Sequence, residues 1–476
     1  MKNFLLACVL VSSALGVHAQ DTWDLRRCVE YAIANNISVK QADVNARVSQ
    51  LRSKLARAEV FPNISFNTSG GLNFGRSIDP TSNQYTTNSV FFQSYNLNAG
   101  ITLFNFFRIR NDRKAAEANF TAAEVNLAAA RNSISLNVAA SYLQYLLSIE
   151  TTNAAKLQIQ QTTAQLNNTR KLVDAGSMPE LNAAQLEAQL ATDSSTYITD
   201  KGLEEQNRIA LMGMLNLDAS TSFQVSVPDV DKIPLEPFSE LQPDYVYKLA
   251  LATQPQQRFD SLSIVAQNFA IKSARASMYP TLSGFAQLGS NYASTFRQLG
   301  GYYSTGKYDT LGVVPVNGTN YYALTPGIGT YTVKPSYWKQ VGEINFSQAF
   351  GVQLNVPLWS NRQLKNNYEQ SKLTLENLKL TQQQNNITLQ TNVYQAYSSS
   401  VSALEKYNAT VKAYEIDNYA FELASKRYGI GVLSTIDYIT TQNNMFKAKI
   451  DQLSAHYDYV FKMKILEFYK GRGVKL

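Results

Sequence analysis

Residues 63–74 read Asn-Ile-Ser-Phe-Asn-Thr-Ser-Gly-Gly-Leu-Asn-Phe. On an extended chain, successive side chains point to opposite faces. Ile64, Phe66, Thr68, Gly70, Leu72 and Phe74 share one face; Asn63, Ser65, Asn67, Ser69, Gly71 and Asn73 share the other. The second face carries amides and hydroxyls and no charge. Segments of about ten residues with this dyad period fit outer-membrane β-strands, apolar toward lipid and polar toward a wet lumen. A soluble sheet with one buried face alternates in the same way, so this stretch alone leaves both readings open.

Three further segments follow the pattern. Tyr95, Leu97, Ala99, Ile101 and Leu103 alternate with Asn96, Asn98, Gly100 and Thr102. Phe350, Val352, Leu354, Val356 and Leu358 alternate with Gly351, Gln353, Asn355 and Pro357, while Thr281 to Tyr292 is less regular. The expected strands are about 62–75, 94–104, 280–293 and 346–359. Phe61, Phe104, Phe106, Phe107, Tyr279 and Trp359 gather where strands meet helical sequence. Aromatic side chains belong at such membrane–water interfaces. Arg108, Arg110, Arg113, Arg362 and Lys365 follow on the helical side. The other strand ends lead into loops, about 78–89 and a Tyr/Gly-rich stretch at about 297–344.

No Gly or Pro occurs from Asn111 to Val173 or from Asn361 to Tyr428. At 1.5 Å per residue these predict helices of about 95–100 Å. Leu25 to Val60 and Pro179 to Leu215 predict helices of about half that length. Ile134, Val138, Tyr142, Tyr145 and Ile149 form a narrow coiled-coil stripe, as do Leu404, Tyr407, Val411, Tyr414 and Phe421.

The chain repeats itself. Arg57-Ala-Glu-Val-Phe-Pro62 recurs as Arg275-Ala-Ser-Met-Tyr-Pro280, an offset of 218 residues. Leu103-Phe104-Asn105 recurs as Leu358-Trp359-Ser360, and Ala175-Gly176-Ser177 as Ile430-Gly431-Val432, at an offset of 255. The second copy therefore holds about 37 extra residues, between Gly284 and Phe350. The expected organisation is a signal peptide at 1–19, a first repeat at 20–217, a linker at 218–242, a second repeat at 243–470 and a tail at 471–476. Lys2, the apolar run Phe4 to Val17 and the small residues of Val17-His18-Ala19 carry the export reading. Past the signal, no uncharged apolar run is long enough for a transmembrane helix.

Composition excludes several functions. His18, His456, Cys8 and Cys28 are the only histidines and cysteines, so a mature chain keeps one of each. That forbids a His/Cys zinc site and an intramolecular disulfide. Charged residues make up 17%, against roughly 25% in typical soluble domains. The formal charge of +7 is scattered and gives no nucleic-acid footprint. Gly429-Ile430-Gly431 lacks a phosphate-loop context; no enzyme activity and no cofactor are expected.

Four strands leave two open edges, which cannot face lipid. Closure therefore demands further copies, and a dimer or a trimer would satisfy it. Gly176 and Gly431 suit left-handed helix ends, and Pro179 suits a first turn. Ser434 with Asp437 reads as a capping box.

Taken in order, these motifs resemble the TolC family of outer-membrane efflux ducts, Bacteroidetes members in particular. The resemblance rests on Leu25-Arg-Arg-Cys-Val-Glu-Tyr-Ala32 with Asn35-Asn36, the aromatic-Pro pairs Phe61-Pro62 and Tyr279-Pro280, Val356-Pro-Leu-Trp359, the turn Arg427 to Asp437, and the duplication. Gly75-Arg-Ser-Ile-Asp-Pro80 adds to it. The resemblance implies α plus membrane β architecture: a homotrimer with a 12-stranded β-barrel in outer-membrane lipid, continued by a 12-helix periplasmic α-barrel. It implies a passive exit duct for small toxic molecules, joined to a periplasmic adaptor and an inner-membrane RND or ABC-type pump. Type I protein secretion is the alternative within the class, and a helical periplasmic scaffold or adaptor the alternative outside it.

The resemblance also assigns residues. Asp437, Tyr428 and Asn182 fall at the pore constriction of the periplasmic tip. Gly176, Ser177, Pro179, Gly431, Val432 and Leu433 form the tip turns that meet the adaptor. Phe61, Phe104, Phe107, Tyr279 and Trp359 are the membrane-interface aromatics. The polar lock of the best-studied member is incomplete here. Leu433 stands in place of a gate arginine, Thr440 in place of a second aspartate, and Leu181-Asn182 in place of a Thr-Asp pair. A looser or differently closed tip is the expectation.

Overall fold

A computed structural model describes residues 22–78, 83–87, 89–227, 230 and 233–471. The expected signal peptide, Cys8, His18, Asp79, Pro80 and tail residues 472–476 lie outside them. The helices are α1 (Leu25–Asn35), α2 (Ile37–Ala58), α3 (Arg108–Asp174), α4 (Glu180–Leu215), α5 (Pro243–Thr253), α6 (Pro255–Ala276), α7 (Gln363–Gly429) and α8 (Thr435–Tyr469). The strands are β1 (Asn63–Asn73), β2 (Ser77–Ile78), β3 (Tyr85–Thr86), β4 (Val90–Phe104), β5 (Thr281–Ala293), β6 (Gln298–Val316), β7 (Thr319–Val333) and β8 (Ser347–Asn355). The chain forms two compact units, and neither is a repeat. One holds Lys54–Lys114 and Phe269–Lys372; the other holds the rest.

The duplication reaches individual residues of the helical unit. The long helices α3 and α7 each have 67 residues and start at equivalent positions. One core cluster joins Cys28 and Ala32 of α1, Val138 of α3 and Leu211 of α4; another joins their counterparts Val246, Ala250, Val393 and Leu466. The expected single helix Leu25–Val60 is broken in two, and so is its repeat equivalent over Pro243–Ala276. The breaks fall at Asn36 and Gln254, both extended, with ψ of 133° and 130°. Asn36 ends α1 by donating its N–H to Ala32, and its Oδ1 receives the Ser38 amide at 2.9 Å. Its Nδ2 donates to the Met214 carbonyl at 3.0 Å; Gln254 Nε2 does the same to the Phe468 carbonyl at 3.3 Å. Each break is thus tied to the end of the matching short helix.

In the strand unit, β1, β4, β5 and β8 form one four-stranded antiparallel sheet in that order. β4 starts earlier than expected, at Val90 opposite Asn73. β8 stops at Asn355, short of Pro357, which has no N–H to give a ladder. The register puts Phe66, Leu97 and Leu288 side by side, and Ala99, Ala286 and Phe350 beside them on the same face. Asn67, Asn96 and Gly289 line up on the other face. β5 looked irregular because Phe285 stands on the polar face, between Gly100 and Gly351. A methyl group on Gly351 would lie 3.0 Å from Phe285 Cζ, so the ring covers a glycine notch.

The expected loop at about 297–344 is a correction: most of it is the long hairpin β6–β7, a separate two-stranded sheet. Its turn, Asn317-Gly318, has φ of 49° and 79°, the left-handed pair of a two-residue hairpin. After it, Tyr337–Lys339 and a π-turn, Gln340–Ile344, fold against the sheet. Tyr337 Oη donates to Gln93 Oε1 at 2.8 Å, and Ser290 Oγ donates to the Val341 carbonyl at 2.6 Å.

Candidate functional site

Two turns join the long helices to the short ones that follow them. After α3, Gly176 takes φ of 73°, its N–H reaching the Val173 carbonyl and that of Ser177 the Leu172 carbonyl, both at 2.8 Å. After α7, Gly431 takes φ of 77°, with the same bonds to Tyr428 and Arg427. Both are Schellman closures, which need a left-handed residue that only glycine adopts without steric cost. Pro179 precedes α4 as its N-cap. Gly176, Ser177, Pro179, Gly431 and Val432 are exposed.

Ser434 caps α8. Its hydroxyl accepts the Asp437 N–H at 3.2 Å and donates to Asp437 Oδ2 at 2.6 Å. Asp437 therefore serves as a capping partner with its carboxylate exposed. Replacing Ser434 with Ala is expected to cost about 1 kcal/mol of local helix stability. Amide exchange over residues 435–438 should quicken relative to mid-helix α8; unchanged exchange would contradict the cap.

Tyr428 is packed inside the subunit. It is 2% exposed and lines no open surface of the subunit. Its hydroxyl shares hydrogen bonds with Thr169 Oγ1 at 3.2 Å and Thr435 Oγ1 at 3.0 Å. Its ring stacks on Tyr438 at 4.7 Å. Burial pushes the Tyr438 phenol up to about 12. Leu166 of α3, Ala183 and Leu186 of α4, Tyr428 of α7, and Tyr438 and Ile439 of α8 make one cluster, with Leu433 packed against it. Leu433 is thus spent on packing. Asn182 is half-buried, and Leu181 is 65% exposed.

Sequence reading missed a polar layer above this cluster. Asp193 is 3% exposed and accepts from Gln158 Nε2 at 2.8 Å, Gln189 Nε2 at 2.7 Å and Thr162 Oγ1 at 2.7 Å. Asn443 Oδ1 accepts from the same two amides at 3.2 Å. The layer ties α3, α4 and α8 together. Nothing local marks Asp193 out, because a carboxylate on a polar helix reads as solvated.

In the strand unit, the junction aromatics cluster. Phe106 stacks on Tyr279 at 4.8 Å, and Phe104 lies 5.0 Å from Phe106 and 6.0 Å from Phe107. Phe61 and Trp359 stand 72% and 78% exposed. Phe106 and Phe107 have φ of 50° and 65°; their repeat equivalents Asn361 and Arg362 have 49° and 62°. Both strand-to-helix steps therefore use two consecutive left-handed non-glycine residues, a costly geometry held by its surroundings.

Among the described residues, no helix is long and apolar enough to cross a membrane, and no group of three or more His, Cys, Asp or Glu is placed to hold a metal. Cys28 is fully buried, and burial pushes its thiol up to about 12.

A sequence profile described as outer membrane efflux protein matches residues 28–217 and 323–469. The probable efflux pump outer membrane protein TtgC of Pseudomonas putida is 20% identical over 89% of this chain and 78% of its own. The pyoverdine export outer membrane protein OpmQ of the same species is 21% identical over 90% and 82%. The crystal structure of the CmeC outer membrane channel of Campylobacter jejuni superposes with a TM-score of 0.71 at 18% identity, covering 95% of this chain and 86% of that one.

Proposed function

The chain belongs to the outer membrane efflux protein family, and on that premise we propose that three copies close into the passive exit duct of a tripartite efflux system. It is an outer-membrane protein, with its helices as the periplasmic extension. The observation that carries the proposal is the sheet β1-β4-β5-β8. One face is apolar, the other mostly polar and uncharged, and among the described residues both outer strands have an unpaired edge. Lipid tolerates no open edge. Eight strands from two copies would fill their bore with side chains; twelve from three copies leave it open.

Phe61, Phe104, Phe107, Tyr279 and Trp359 anchor the periplasmic rim of the barrel. Gly176, Ser177, Pro179, Gly431, Val432 and Leu433 form the tip offered to a periplasmic adaptor, and through it to an inner-membrane pump. Asp437 and Asn182 border the constriction, and Tyr428 supports it from inside the subunit. The tip closes on aromatic packing in place of the arginine-centred polar lock. Three Asp437 carboxylates near one axis favour cations. Asp437→Asn should lower the cation preference of planar-bilayer currents; unchanged selectivity would reject Asp437 as the filter.

Efflux of small toxic compounds is the proposed duty, in keeping with a relative named as part of an efflux pump. Deleting the gene should sensitise cells to several compounds of a toxicity panel, with recovery on supplying the full chain. Unchanged tolerance with loss of one secreted protein would favour the protein-secretion alternative.

A further inference from the structure

The turn Tyr337–Ile344 rests on the apolar face of the four-stranded sheet without joining its ladder. Its anchors all lie on the face of Leu97 and Leu288. The Tyr337 hydroxyl shares a hydrogen bond with that of Tyr95 at 2.5 Å, and its ring lies 4.8 Å from Tyr292. Ser290 holds the Val341 carbonyl. The pairing of β5 with β8 ends at Gly289. Beyond it, the fully buried Gln340 accepts the Ala293 N–H at 2.7 Å, and Asn345 Nδ2 donates to the Asn291 carbonyl at 2.7 Å. The turn is therefore fixed in place by side chains.

The face changes character beneath it. Along β4 it runs Leu103, Ile101, Ala99 and Leu97, then turns polar at Tyr95 and Gln93. Nine residues separate Tyr95 from Phe104 of the junction aromatics. That is about 30 Å along the strand, or about 21–25 Å of depth at a tilt of roughly 35–45°, against an apolar band of about 25 Å. The turn thus stands one membrane thickness from the junction aromatics. Trp338 lies on it, 78% exposed. Arg297 and Lys334 flank the Gln298–Val333 pair at the hairpin base. With Lys339 they make three exposed cations against one acid of the turn, Glu343.

We propose that this turn is a foot in the outer leaflet. Trp338 seats at the headgroup level, and Arg297, Lys334 and Lys339 hold the phosphate of an anionic lipid. The inference rests on the apolar face meeting lipid. Continuity with that face selects the occupant: the turn closes the apolar band at the depth where an indole, apolar in body and polar at one edge, belongs. Each cation near an anionic lipid surface is worth about fivefold in affinity.

The test uses the full-length protein in phosphatidylcholine vesicles brominated either beside the headgroup or near the chain end. Headgroup-side bromine should quench tryptophan emission more, and Trp338→Phe should remove part of that quenching, as Trp359→Phe removes another part. The Trp338 share should appear at a mole fraction of brominated phosphatidic acid about fivefold or more below that of brominated phosphatidylcholine. Arg297→Gln with Lys334→Gln and Lys339→Gln should abolish the preference. Its absence from the unaltered protein would overturn the headgroup contact. Relief of quenching by inorganic phosphate would overturn it in favour of a soluble-anion site. If Trp359→Phe lowers the quenching and Trp338→Phe does not, the foot is overturned while the lipid-facing sheet stands. If neither does, the apolar face does not meet lipid, and the inference falls with it.

Discussion

Arginine at Leu97 is expected to abolish assembly in the outer membrane, while arginine at the adjacent Asn96 is accepted. Leu97 lies between Phe66 and Leu288 on the apolar face. Asn96 lies between Asn67 and Gly289 on the other, its Oδ1 turned toward Gly289. A lipid-facing arginine near the bilayer midplane costs roughly 2–4 kcal/mol, about 30- to 1000-fold in folded population for each subunit. A lumen-facing one keeps its water. The check is the amount of heat-modifiable multimer in outer-membrane fractions of the two variants. Equal loss, or equal tolerance, would mean that the two faces do not meet lipid and water as assigned.

Tyr428→Ala is expected to loosen the tip more than any other single change there. It removes a ring that touches three helices and deletes the stack on Tyr438, at about 3–5 kcal/mol. Tyr428→Phe keeps the ring and loses only the bonds to Thr169 and Thr435, about 1 kcal/mol each. Single-channel recordings should show long-lived high-conductance states in the alanine variant and brief ones in the phenylalanine variant. Proteolysis at residues 430–434 should follow the same order. If alanine leaves both readouts at the level of the unaltered protein, Tyr428 does not hold the tip closed.

What the sequence discloses and hides has physical causes. The sheet faces and long helices are legible because their periods, 2 and 3.6, run unbroken over many residues. The break at Gln254 carries a signal in Pro255, which turns the preceding residue away from helix. The matching break at Asn36 has no proline and depends on the bond to Met214, 178 residues away. The β6–β7 hairpin announces itself only at Asn317-Gly318, since glycines and bulges blur its alternation. At the tip, the glycine turns and the Ser434 cap are local and readable. The burial of Tyr428 is not, because Thr169 and Leu186 reach it from the other hairpin. Asp193 escapes because a carboxylate on a polar helix reads as solvated, while Gln158 and Thr162 reach it from α3, more than 30 residues away.

The central claim is that copies of the chain enclose one continuous water-filled bore. The most direct test is planar-bilayer conductance of the detergent-purified particle whose native mass has been determined. A three-chain particle giving large, stable single-channel steps is expected. A monomeric or two-chain particle, or a three-chain particle that conducts nothing, would contradict it.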